Sequence, residues 1–193
     1  MVGIEGDYVF IESHPDDLLL SAGGLFLQKK PRMVITVFSG KNIDNGTKEL
    51  CKDYGIGYVF LNVPDIDYNE KIDRTTPEHA NLLVDIIKKA NLNVITTMGA
   101  GHPAHEWVAN IIKDNFKDTI FVRDFPHSYK KRKVNFQEYV NKNKFKLSFI
   151  LECDFDKKVE LFKYYYKSQK SLLFFEKRFF KIKPREEYYT VKK

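Results

Sequence analysis

Short apolar runs alternate along the chain with segments of helical period. Tyr8-Val9-Phe10-Ile11 is apolar throughout, as a strand covered on both faces must be. Leu18 to Lys30 then reads as a helix stopped by Pro31. Met33 to Phe38 predicts a second strand, Thr47 to Tyr54 a helix ended at Gly55, and Tyr58 to Val63 a third strand. Thr76 to Ala90 is an amphipathic helix with Pro77 in its first turn. Val94 to Thr97 predicts a strand, Trp107 to Phe116 a helix and Thr119 to Arg123 another strand. Repetition of strand, helix and strand predicts an α/β fold. The expected architecture is Rossmann-like, a mostly parallel sheet with helices on both faces in a single domain. Beyond Pro126 the pattern changes: Lys146 to Glu152 alternates like a strand, Asp156 to Phe175 predicts one long helix, and Tyr188 to Val191 a terminal strand.

The length, 193 residues, suits one domain, and 43% hydrophobic content excludes a disordered chain. The longest near-apolar stretch, Leu18 to Leu27, falls short of the ~20 residues of a membrane span, so a soluble, cytoplasmic protein is expected. Cys51 and Cys153 form no spaced pair, which excludes a disulfide framework and a cysteine zinc cluster. Both read as small buried hydrophobes. The net charge of +6 is uneven. Between Ser128 and Lys193, 19 Lys and Arg face 8 Asp and Glu, leaving that part at +11 and the remainder at −5. Such a basic third is either a solvated surface or a hint of an anionic ligand. Its densest run, Lys130-Lys131-Arg132-Lys133, has the spacing of no nucleic-acid motif, and nucleic acid is not an expected partner.

In an open parallel sheet, ligands bind beyond the carboxyl ends of the strands. His14-Pro15-Asp16-Asp17 follows the first strand there and opens the first helix. Pro15 holds His14 extended and suits the start of the helix. His102-Pro103-Ala104-His105 stands in the same way after the strand Val94 to Thr97. Each cluster alone has a plain reading, since Asp caps helices and loop histidines are common. Together, at corresponding ends of two strands, they predict a site. A catalytic zinc takes three ligands from His and Asp or Glu, and His14, Asp17 and His105 would supply them. Zinc lowers the pKa of water toward ~7, and Asp16 is placed to accept the proton as the water attacks a carbonyl. His102 would stabilise the oxyanion or protonate a leaving amine.

These motifs resemble the PIG-L/LmbE family of zinc-dependent N-deacetylases: His-Pro-Asp-Asp after the first strand, Gly23-Gly24 in the next helix, and Gly101-His102-Pro103-x-His105. Glu49-Leu50, Tyr54-Gly55-Ile56, Phe60-Leu61 with Asp65, and Lys158 with Tyr166-Lys167-Ser168-Gln169 agree in order. The resemblance spans Tyr8 to Gln169. It implies one zinc ion on His14, Asp17 and His105, Asp16 as general base and His102 as its electrostatic or acid partner. The implied substrate is a small N-acetylated amino sugar or sugar conjugate. Three positions depart from the pattern: Leu18 replaces a frequent Glu, Gly46 a common Arg, and Ala104 the Asp beside the first histidine. Asp65 and His127 are candidate substrate contacts, His127 also a substitute for the missing Asp. An amidase acting on another acylated amine, and a catalytically dead basic binding protein, are the competing readings. The 16 Phe and 11 Tyr leave a homo-oligomer open.

Overall fold

The computed structural model describes residues 4–38, 46–66, 75–125, 127–129, 135–167 and 185–192. Among the described residues, seven strands form one sheet: β1 (Tyr8–Glu12), β2 (Met33–Phe38), β3 (Gly57–Val63), β4 (Asn93–Thr97), β5 (Ile120–Val122), β6 (Phe145–Glu152) and β7 (Arg185–Val191). Their order is β3-β2-β1-β4-β5-β7-β6. The pairs among β1 to β5 are parallel, and β7 runs antiparallel between β5 and β6. This is the mostly parallel, single-domain α/β fold expected from the sequence.

Period-two alternation divides the sheet into two cores, because successive side chains point to opposite faces. Tyr8, Phe10, Val34 and Ile95 pack on one side under α1 (Asp17–Gln28), α2 (Gly46–Asp53) and α6 (Phe155–Tyr165). Val9, Ile11, Ile35 and Val94 face the other, under α3 (Pro77–Ala90), α4 (Pro103–Asn115) and α5 (Phe136–Lys142). Among the described residues, helices cover both faces, three on each.

Helix α1 is broken at Ala22, whose φ of −126° and ψ of 23° lie outside the helical region. The break frees backbone donors, and Glu186 on β7 takes them. Its carboxylate accepts from Gly24 N at 2.7 Å and Leu25 N at 3.1 Å, and also from Lys158 Nζ at 2.7 Å and the Tyr188 hydroxyl at 2.7 Å. The break sets the helix tightly against α6 and the segment just before it: a Cβ on Gly23 would lie 2.8 Å from Lys158 Cγ on α6, and one on Gly24 2.2 Å from Cys153 Cβ, so only glycine fits at Gly24.

Helix α6 ends at Tyr165, short of the expected Phe175; residues 168–175 of that expectation lie outside the described residues. Tyr166 leaves the helix to bury its ring completely and bond its hydroxyl to Thr47 Oγ1 at 2.6 Å. Helix α4 begins at Pro103 rather than Trp107, because proline occupies its first turn. Among the described residues, no helix is long and apolar enough to cross a membrane. Cys51 is buried, and burial pushes its thiol up to about 12; Cys153 is half-buried. The run Lys130-Lys131-Arg132-Lys133 lies outside the described residues.

Candidate metal centre

Strand β1 pairs with both β2 and β4, so chain connections leave it in opposite directions. That reversal opens a crevice at the carboxyl ends of β1 and β4. Both histidine clusters fall at its rim.

After β1, the turn is built from its own backbone. Asp16 N and Asp17 N both donate to the His14 carbonyl, at 2.8 and 3.2 Å. Asp17 is buried and reaches backward rather than capping α1: its Oδ2 accepts from Ser13 N at 3.0 Å and His14 N at 2.9 Å. Its Oδ1 is thereby aimed across the crevice, 3.5 Å from His105 Nε2. Asp16 occupies the cap position of α1 with no capping bond from its side chain. Below the turn, Glu12 is fully buried and accepts from Leu18 N at 3.1 Å and the Thr36 hydroxyl at 2.6 Å. Burial pushes its carboxyl well above the ordinary value, against the pull of those bonds. Leu18 itself sits in the first core, and the carboxyl group in this region belongs to Glu12.

After β4, Gly99 and Gly101 adopt φ of 84° and 87°, which favours glycine. The loop they form wraps Asp124, whose carboxylate accepts from Gly99 N at 3.2 Å and Ala100 N at 3.0 Å. His102 is extended ahead of Pro103, as the residue before a proline prefers, and His105 follows one turn into α4. Ala104 points into the second core, fully buried among apolar side chains.

The polar atoms then converge. His14 Nδ1 lies 3.2 Å from His105 Nε2. The far nitrogen of each ring is held by a carboxylate: His14 Nε2 is 3.1 Å from Asp65 Oδ1, and His105 Nδ1 is 3.0 Å from Asp124 Oδ1. A neutral histidine that donates through its far nitrogen presents a lone pair at the near one. Two such lone pairs and the Asp17 oxygen face one another, a mutually repulsive arrangement unless a cation lies among them. A proton is the simplest such cation. Burial alone would lower the pKa of His105, but Asp17 and Asp124 outweigh it and hold the imidazole up at about 9. At Asp65 burial would raise the carboxyl, yet the hydrogen bond and charge of His14 prevail and lower it. The donor chemistry, two imidazoles and a carboxylate with each imidazole braced from behind, suits a zinc-type ion. One donor atom each from His14, His102 and His105 also lie within 4.8 Å of one another.

His14, Asp17, His102 and His105 are therefore brought together, with Asp16 adjoining His14 and Asp17 in the same turn. His127 joins them from the loop after β5, its ring centroid 4.8 Å from His102 and 5.0 Å from His105. Asp65, anticipated as a substrate contact, lies against His14. Asp124 and Glu12 carried no expected role. Asp124 stands directly after β5 at the same rim, which is the one sequence signal for it; Glu12 is an acidic residue closing an otherwise apolar strand.

Gly46 stands where the resembled family has Arg. A Cβ there would lie 2.6 Å from the Tyr166 ring and 2.7 Å from the Tyr165 carbonyl oxygen, so close packing of α2 on the end of α6 excludes a larger residue.

Known sequence families give no match to the chain, and neither do characterised proteins. Solved structures do. A deacetylase of the teicoplanin biosynthesis pathway, solved as a complex, superposes with a TM-score of 0.64 at 16% identity, covering 96% of this chain and 98% of that one. The A40926 pseudoaglycone deacetylase gives 0.63 at 16%, with 95% of each chain covered. Teicoplanin deacetylase in its zinc-inhibited form gives 0.60 at 14%, covering 95% and 97%. Over nearly its whole length, the chain shares the fold of these deacetylases.

Proposed function

We propose that the protein is a zinc-dependent hydrolase that removes the acetyl group from an N-acetylated amino sugar or sugar conjugate. The observation that carries this reading is the pair of imidazoles facing each other at 3.2 Å, each with a carboxylate behind it and Asp17 beside them. Such an arrangement calls for a bound cation, and His14, Asp17 and His105 are the residues that would hold it. A zinc ion there supplies Lewis acidity, polarising the amide carbonyl and making water a nucleophile near neutral pH.

The remaining roles fall to the chain's own residues. Asp16 accepts the proton from the attacking water. His102 donates hydrogen bonds to the oxyanion and a proton to the departing amine nitrogen. Water adds at the carbonyl carbon, the C–N bond breaks, and acetate and a free amine leave. Asp65 and Asp124 fix which ring nitrogen of His14 and His105 faces the crevice. The fold shared with deacetylases that include one from the teicoplanin pathway supports a sugar-conjugate substrate, and the basic C-terminal third favours an anionic one.

Acetate release from N-acetyl amino sugars tests the reading. Replacing Asp16 by Asn should leave metal content unchanged and cut acetate release by a factor of ~10² to 10⁴. A variant with full activity would remove Asp16 as the base, and a wild-type protein inert on every N-acetyl sugar would remove the substrate assignment.

A further inference from the structure

The crevice lies at the carboxyl ends of β1 and β4. At the opposite end of the sheet, where β5 begins and the antiparallel β7 finishes, the surface holds a separate cavity of about 350 Å³. Phe116, Phe121 and Val191 supply its apolar wall, and Lys113, Lys117 and Lys192 its charge. Its volume suits a ring-sized ligand, at the small end of the ~300–1,000 Å³ common for ligand pockets.

Local structure brings the two kinds of side chain together. Helix α4 stops at Asn115, and Phe116 turns extended, its N–H donating to the Ile112 carbonyl. Asp118 then adopts a left-handed φ of 61°, which turns the chain into β5. Thr119 is buried, its hydroxyl donating to the Phe116 carbonyl at 3.3 Å. Phe121 packs edge-on against Phe145, with ring centroids 5.0 Å apart, and Val191 pairs with Phe145 at the end of β7. Lys192 follows, anchored by its N–H to the Lys144 carbonyl at 2.7 Å.

The charge of these lysines is not cancelled. The Lys113 ammonium donates to two neutral amide oxygens, Asn110 Oδ1 at 3.2 Å and Asn143 Oδ1 at 3.3 Å, which position it and leave its charge intact. Lys117 and Lys192 are exposed, and among the described residues neither side chain bonds a carboxylate. Three lysines against one acid, Asp118, leave the lining at +2. Lysines at the end of a helix answer its dipole, and Lys113 and Lys117 stand at the end of α4. Lys192 answers no helix, because it arrives from β7.

We propose that this cavity binds a small organic phosphate, its ring or compact apolar body against Phe116 and Phe121 and its charge among the three lysines. A phosphate monoester carries about −1.5 to −2 at neutral pH, which matches the lining. A neutral ring leaves the lysines unanswered, and inorganic phosphate leaves the apolar wall in water. The site is separate from the crevice and depends neither on a metal nor on the hydrolase reading.

Isothermal titration calorimetry on the full, chelator-stripped chain tests the site with phenyl phosphate, inorganic phosphate and phenol. One phenyl phosphate per chain is expected, bound at least about tenfold more tightly than either fragment. Lys117→Glu and Lys192→Glu reverse the charge of exposed side chains. Each should weaken phenyl phosphate at least about tenfold while circular dichroism stays that of wild type. His14→Ala should leave the affinity unchanged, since the crevice is at the other end of the sheet. Phenyl phosphate bound no more tightly than its fragments, affinity retained in both lysine variants, or affinity lost in His14→Ala overturns the proposal. The absence of binding at millimolar concentration overturns it too.

Discussion

His105 is flanked by carboxylates on both ring nitrogens, and this fixes the sign of its pH response. In the metal-free protein its pKa stands at about 9, against an unfolded value near ~6.5. Its contribution to stability is therefore complete below pH ~6.5 and is lost as the pH rises through about 9. Thermal melts of the stripped protein should show Tm falling over that window. A metal ion must displace the same proton, so metal affinity should rise with pH across the window by up to tenfold per unit. Replacing Asp124 by Asn should flatten this dependence and weaken metal binding by ~10- to 100-fold. Competition with a chromophoric chelator at several pH values would measure both; wild-type affinity in the Asp124→Asn variant would mean that Asp124 only anchors the loop. The two histidine motifs were legible in the sequence because each is local: a proline fixes the backbone and a strand end fixes the place. The partners of those histidines were not. Asp65 stands 51 residues from His14, and the roles of Asp65, Asp124 and Glu12 arise only when the sheet assembles.

Among the elements, β1 to β5 and α1 to α4 follow from hydrophobic period and punctuation, since each is bounded by Gly, Pro or polar residues. Helix α5 escapes that reading because Phe136–Lys142 is only seven residues long and buries a single side chain, Val140. The break in α1 escapes it for a different reason. Ser21 and Gly23-Gly24 flank Ala22 and loosen the helix there, but the compensating acceptor, Glu186, comes from 162 residues beyond Gly24. That acceptor gives the break a testable cost. Glu186→Ala would strand two backbone donors and leave Lys158, largely buried, without its carboxylate. Loss of one partner of a buried ion pair costs about 3–5 kcal/mol. Urea denaturation should show a destabilisation of that order, and a change below ~1 kcal/mol would mean that water reaches the freed groups. Because Asp16 occupies the cap position of α1 and Asp17 opens it, the same network holds the crevice-facing end of the helix in place.

At the scale of the whole molecule, the site follows from topology. The order β3-β2-β1-β4-β5 puts the reversal between β1 and β4, and the two chemical motifs are the loops that leave those two strands. The antiparallel β7 extends the sheet beside β5 and delivers both Glu186 under α1 and Glu187 to Arg123. One strand thus braces both sides of the crevice, one through α1 and the other through the turn bearing Asp124 and His127. Whether the crevice holds a catalytic metal is read from metal content per chain. Protein purified without added metal or chelator should carry about one zinc-type ion, and His14→Ala and His105→Ala, each folded by circular dichroism, should carry none. A wild-type chain that holds no metal even after reconstitution with zinc would mean that the crevice is not a metal site, and an ion that remains in both variants would mean that His14 and His105 do not hold it.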